Sequence, residues 1–165
     1  MSPLPDYDAD ATRVFDCLSG GGIAIVHMDV AYAIMSGTED ALRRVYAAKE
    51  RSFDRPSGIV ANHNTHSEIQ IVDETASEII NSVTKVHNLP LSIIAPYRTD
   101  HPLMQQITPF LRGMSTKAGT VNFLLNASPL RDQIAELSLK ANFPLMASSA
   151  NRSQHGTKYR VEDIE

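Results

Sequence analysis

Short apolar runs alternate along this chain with longer segments of helical periodicity, and that alternation limits the fold more than any other feature. The runs fall at 23–26, 58–61, 91–95, 120–125 and 145–147. They are brief, often β-branched and bounded by Gly or Pro, so they read as buried strands. Between them, Val14, Phe15 and Leu18 recur at helical spacing over 8–18, and the triplet Gly20-Gly21-Gly22 stops that helix. Thr38 followed by Glu39 and Asp40 is a helix start, with Leu42, Val45 and Tyr46 as the inward stripe up to about Ala48. Helices are also expected over 75–86, with Ile79, Ile80 and Val83 aligned, and over 130–140, with Ile134 and Leu137 inward. Residues 27–37 read as a loop, as does the Asn- and His-rich stretch that follows residue 61. Strands alternating with helices need a sheet with covered faces, so an α/β fold, or α+β, with a mixed twisted sheet is expected.

The 165 residues carry no internal repeat, low-complexity tract or linker and suit one domain, 1–165. A net charge of −4 excludes a broadly basic nucleic-acid-coating protein but leaves room for a local basic groove. Cys17 is the single cysteine, so no internal disulfide and no cysteine-based zinc site can form. The first eleven residues hold three aspartates and no base, unlike a secretory signal, and no apolar run approaches the roughly 20 residues that span a bilayer. A cytoplasmic protein without a membrane segment is the expectation.

The fingerprints of P-loop, dinucleotide-binding and serine-hydrolase sites are all missing. His63 and His66 lie three apart, but no third ligand accompanies them, so no metal site is expected. Lys49-Glu50-Arg51 follows a helix. If extended, it would set two cations on one face about 7 Å apart, a spacing suited to polyphosphate. A solvated charged loop would explain the same three residues. Ser148-Ser149-Ala150-Asn151 emerges where a strand ends, a usual place for ligands in α/β sheets, although Ser and Asn also form ordinary turns there.

Taken in order, these pieces resemble the YrdC-like family, best known for threonylcarbamoyl-adenylate synthases. The family's Lys-x-Arg motif corresponds to Lys49-Glu50-Arg51 and its Ser-x-Asn motif to Ser149-Ala150-Asn151. Leu89-Pro90-Leu91-Ser92-Ile93-Ile94 is similar to its Pro-Leu-Thr strand, and Gly119-Thr120-Val121 to its Gly-Thr-Val strand. The resemblance implies an open twisted sheet with a concave ligand face. It also implies condensation of L-threonine, bicarbonate and ATP into threonylcarbamoyl-AMP and pyrophosphate, for tRNA modification, with Mg²⁺ accompanying the ATP. In that picture Lys49 and Arg51 are catalytic and, with Ser149, Asn151 and Thr120, hold the nucleotide. Tyr32 and Asp29 face the amino-acid substrate.

Several positions depart from the family pattern. Where the family has Pro-Thr-Asp-Thr-Val-Tyr-Gly, this chain has His27-Met28-Asp29-Val30-Ala31-Tyr32-Ala33, which loses two hydroxyls and a glycine with its φ freedom. Leu124 stands where an arginine is usual, Ser153-Gln154 replaces Ser-Gly, and the chain stops at Glu165 where relatives continue with a tail. The expectation is therefore a YrdC-like fold with degenerate activity. Two further readings are a non-catalytic nucleotide- or duplex-RNA-binding paralogue, using Arg43, Arg44, Lys49, Arg51 and Arg55 as a basic patch, and an adenylate-forming enzyme with another acid as substrate.

Overall fold

The computed structural model describes residues 6–164. Helix α1 (Tyr7–Ser19) leads into the hairpin β1 (Ile23–Met28) and β2 (Ala31–Ser36), then α2 (Glu39–Ala48) and β3 (Gly58–Ile59). Next come α3 (His63–Ile69) and α4 (Glu74–Asn81), which runs on into a π-helical turn (Ser82–Val86), and strand β4 (Leu91–Pro96). Short helices α5 (Pro102–Gln105) and α6 (Pro109–Ser115) precede β5 (Thr116–Lys117) and β6 (Thr120–Leu125). Helix α7 (Pro129–Ala141) and β7 (Met146–Ser149) complete the sheet. The strand order is β1-β2-β7-β3-β6-β4, with β5 added against β6. Only β3 and β6 run parallel, so the sheet is mixed, as expected.

Side chains alternate across a strand, and the sheet carries a core on each face. Ile59, Phe123, Leu125 and Met146 pack on one face with Leu42 and Tyr46 of α2, Ile69 of α3 and Ile80 of α4. Val26, Ala33 and Met35 pack on the other with Leu18 of α1 and Ile134 of α7. Polar caps set where the helices begin: Asp6, Thr38, Asn62, Asp73, Thr108 and Ser128 each accept a backbone N–H of the first turn. Gly20 ends α1 and Gly21 takes φ 83, which confirms the glycine stop.

Three expectations change. Residues 27–37 are not a loop, because β1 extends to Met28 and β2 returns antiparallel from Ala31. The period of two is hidden in β2 because most of its residues are buried, and the Asp29-Val30 turn lacks the usual Gly or Asn. The Asn- and His-rich stretch forms α3, started by a reciprocal cap between Asn62 and Thr65. In α4 only Ile80 faces the core, while Ile79 is 57% exposed.

Helices α1 and α7 cover one end of their face of the sheet and leave the rest open. Ser92, Asn122, Leu124 and Ala147 of the sheet line a cleft.

Candidate active site

The cleft has a volume of about 430 Å³, within the range usual for small-molecule sites. Its walls bring together Tyr32 of β2, Arg51 of the α2–β3 connection, Ser149 of β7 and Arg131 of α7. The strap 152–160 closes one side, where Thr157 and Tyr159 meet the cleft and the Lys158 carbonyl accepts the Tyr32 N–H.

Lys49-Glu50-Arg51 is not extended. Lys49 caps α2, Glu50 takes φ 49, and the N–H groups of Glu50 and Arg51 return to the carbonyls of Ala47 and Tyr46. This is a Schellman turn with glutamate at the left-handed position. Its consequence is that the two cations part company. Lys49 is only 4% exposed, and its Nζ donates to the Ser149 and Asn151 carbonyls. Arg51 enters the cleft, donating to the Arg55 carbonyl at 3.2 Å and the Pro56 carbonyl at 2.7 Å. Burial, reinforced by the Arg51 charge, pushes Lys49 down from 10.5 to about 8. The reading of this motif as a solvated loop is thereby corrected.

Ser149 lines the cleft from the end of β7, paired with Ala33. Asn151 sits beside it and outside the cleft wall. Its Nδ2 donates to the Arg152 carbonyl at 2.5 Å, and its Oδ1 is buried without a partner among the described residues. Thr120 donates to the Lys117 carbonyl at 2.7 Å and faces an adjoining depression instead of the cleft. Asp29 is exposed on the hairpin turn, its N–H bonded to the Ala127 carbonyl, and does not line the cleft.

Met28, Val30, Ala33 and Leu124 all line the cleft, so the departures from the family pattern fall inside the site. Ala33 lies in a regular strand, outside the left-handed region, so loss of glycine's φ freedom has no effect there; its Cβ adds apolar surface instead. Gln154, by contrast, takes φ 72 where the family pattern has glycine.

Arg131 is the residue that sequence reasoning missed. It is 2% exposed, and its Nη1 donates to the carbonyls of Ala61 at 2.7 Å and Leu124 at 2.5 Å. No carboxylate pairs with it among the described residues, and its Nε has no hydrogen-bond partner. Burial pulls it down from 12.5 to about 10, against the neighbouring Asp132 charge. Asp132 itself is raised to about 6, first by burial and further by Asp29. The cleft therefore holds a guanidinium beside Leu124, delivered by α7 instead of by β6. A lone Arg on an amphipathic helix gives no signal of this, because only the packing of α7 on the sheet buries it.

Of the proposed basic patch, Arg43 pairs with Glu39 at 2.7 Å and covers the Phe110 ring, Arg44 donates to the Gly21 carbonyl, Lys49 is buried, Arg51 lines the cleft and Arg55 is exposed. His63 and His66 lie on α3 and line a different cavity. No group of three or more His, Cys, Asp or Glu able to hold a metal occurs among the described residues. No helix among them is long and apolar enough to cross a membrane.

The cleft thus lies between the open mixed sheet and the strap 152–160. The chain belongs to the Sua5/YciO/YrdC family, whose sequence model, described as "Telomere recombination", matches residues 16–165. Three solved structures share the fold. A hypothetical protein, smu.1377c of Streptococcus mutans UA159, matches with a TM-score of 0.76 and 22% identity over 93% of this chain and 59% of that one. P. abyssi Sua5 complexed with L-threonine gives 0.71 and 19% over 95% and 43%. Full-length HypF in its phosphate- and nucleotide-bound form gives 0.66 and 14% over 98% and 23%. The chain thus spans 59% of the first protein's length and 43% of the second's. No curated protein sequence matches it.

Proposed function

We propose that this chain binds ATP in the cleft and keeps the ligand face of a threonylcarbamoyl-adenylate synthase while carrying out that synthesis weakly or not at all. The observation that carries the reading is the meeting of Tyr32, Arg51, Ser149 and Arg131 around one 430 Å³ cleft. Threonine in the Sua5 structure and nucleotide in the HypF structure support these ligand classes.

In the reaction considered, a carbamate oxygen forms a bond to the α-phosphorus while the bond to the bridging oxygen breaks and pyrophosphate leaves. No protein nucleophile is needed. The site must align the reactants and offset charge on the phosphate oxygens. Arg51 and Arg131 supply that charge, and Ser149 supplies a neutral hydrogen bond. Among the described residues no carboxylate lines the cleft, so Mg²⁺ would enter with the triphosphate as part of the substrate. Met28, Val30 and Leu124 donate nothing to developing charge. One well-placed donor lost at such a site costs about 3 kcal/mol, or 100-fold or more in rate.

Calorimetry with ATP, with and without L-threonine and bicarbonate, alongside threonine-dependent pyrophosphate release, tests the reading. Binding with little or no turnover is expected. Robust turnover would show that the apolar wall is tolerated, and absence of ATP binding would reject the site. Duplex RNA binding without ATP binding would favour the RNA reading.

The affinity should also depend on pH with a definite sign. Asp132 becomes charged above about pH 6, which adds negative charge beside Arg131, and Lys49 becomes neutral above about pH 8. Each step lowers anion affinity as pH rises. Comparison with Lys49→Met cancels the nucleotide's own titration, and the step near pH 8 should vanish in that variant.

A further inference from the structure

A second cavity, of about 420 Å³, opens between α3, α4, the π-helical turn and the segment after β4. Four basic side chains line it: His63 and His66 of α3, Lys85 of the π-helical turn and Arg98 beyond β4. Among the described residues no carboxylate does, although the chain as a whole is acidic. The nearby acids are engaged elsewhere. Glu136 of α7 accepts from Asn62 at 3.1 Å and Asn64 at 3.0 Å and pairs with Lys140, Glu68 pairs with His101, and Asp73 caps α4. Glu74 and Glu78 of α4 are exposed and do not line the cavity.

The hydrogen bonds define what His66 presents to this space. Gln70 Nε2 donates to the Ile93 carbonyl at 3.1 Å and the Val121 carbonyl at 3.0 Å, which fixes the orientation of its amide. Its Oε1, 2.8 Å from His66 Nδ1, must therefore accept, so Nδ1 carries a proton in either charge state. Nε2 has no hydrogen-bond partner among the described residues. Arg98 is held in place by Nη1, which donates to the Ser67 and Glu68 carbonyls. The charges of Lys85 and His66, together with burial as the larger cause, hold His63 below its ordinary range.

We propose that this cavity is a second binding site, separate from the cleft, that takes a phosphate-type oxyanion on Lys85, Arg98 and the two imidazoles. Two imidazoles between an ammonium and a guanidinium disfavour a metal cation, whereas a tetrahedral anion satisfies all four groups. A bound anion favours the charged form of His63, which burial and the neighbouring cations otherwise disfavour. The cavity exceeds inorganic phosphate in size, which leaves room for a sugar-sized substituent on a phosphomonoester.

The test follows the histidine ring signals of the full chain by NMR while inorganic phosphate, or in a second arm ribose 5-phosphate, is added, with NaCl at matched ionic strength as control. Saturable shifts of His63 and His66 are expected, with a raised His63 pKa and affinity falling about tenfold from pH 6 to pH 8. Lys85 is exposed, and Lys85→Gln should weaken binding about tenfold without unfolding the chain. Equal shifts in both arms identify the phosphate group alone as the ligand; tighter binding of the sugar phosphate identifies a monoester. Shifts reproduced by NaCl, unchanged by Lys85→Gln, or absent would overturn the proposal. The ATP assays address the cleft and leave this outcome independent.

Discussion

Arg131→Met is expected to weaken ATP binding about 100-fold, the largest loss of any single substitution in the cleft. The guanidinium lines the cleft and has no carboxylate partner among the described residues, so its charge is available to a ligand, and burial leaves it poorly screened by water. A bidentate contact between such a group and phosphate is among the stronger polar interactions a protein makes. Arg131→Lys should recover little, because an ammonium cannot serve the Ala61 and Leu124 carbonyls and the ligand with one planar fork. Stability should change in a smaller and separable way. Methionine strands two carbonyls, at about 1–3 kcal/mol in total, but also removes a desolvated charge. Calorimetry gives the affinity, and a urea midpoint gives the stability. If Arg131→Met bound ATP like the wild type, the guanidinium would be a structural strut and the cleft's phosphate subsite would lie at Arg51 alone. The same geometry speaks against restoring the family arginine by Leu124→Arg alone. A second guanidinium would enter beside the first, and like charges in a low-dielectric cleft repel.

How much of this was legible in the sequence depends on whether the signal was local. The runs at 91–95 and 120–125 became β4 and β6 because β-branched residues and flanking turns state a strand without tertiary help. Thr38 and the acids after it located α2 for the same reason. Strand β2 escaped because burial of most of its residues erased the alternation that would have marked it. The segment 101–119 went unread, although Thr108-Pro109 is a recognisable helix start that α6 uses. In the site, residue types were legible and directions were not. Lys49 and Arg51 were visible as a pair, but glutamate at a left-handed position sends one into the interior and the other into the cleft. The apolar substitution at Leu124 was visible too. The guanidinium beside it was not: Arg131 follows Leu124 by only seven residues, but its side chain meets the Leu124 carbonyl only once α7 packs onto the sheet.

Lys49→Met should leave stability at pH 7 nearly unchanged yet cost about 2–3 kcal/mol at pH 10, while loosening the segment that bears Ser149 and Asn151. At neutral pH two effects oppose each other. The ammonium donates to the Ser149 and Asn151 carbonyls, but burial penalises its charge. With a folded value near 8 and an unfolded value near 10.5, the unfolded chain holds more protons between those limits, so wild-type stability rises with pH across that window. The neutral amine still has hydrogens for both carbonyls. The gain reaches up to about 3 kcal/mol, since each pKa unit is worth about 1.4 kcal/mol. Methionine has no proton to exchange and gains nothing, so the difference between the two proteins opens from pH 8 upward while their common groups cancel. Denaturant midpoints at pH 7, 8, 9 and 10 read it directly. A difference that stays constant with pH would mean that Lys49 Nζ is solvated and does not brace the loop. Hydrogen exchange supplies the local readout. The Ser153 N–H, bonded to the Lys49 carbonyl, and the Asn151 N–H, bonded to the Ser149 carbonyl, should exchange faster in the variant. ATP affinity at pH 7 should fall about tenfold with them, because Ser149 keeps its place in the cleft wall only while the lysine beneath it holds the strand end.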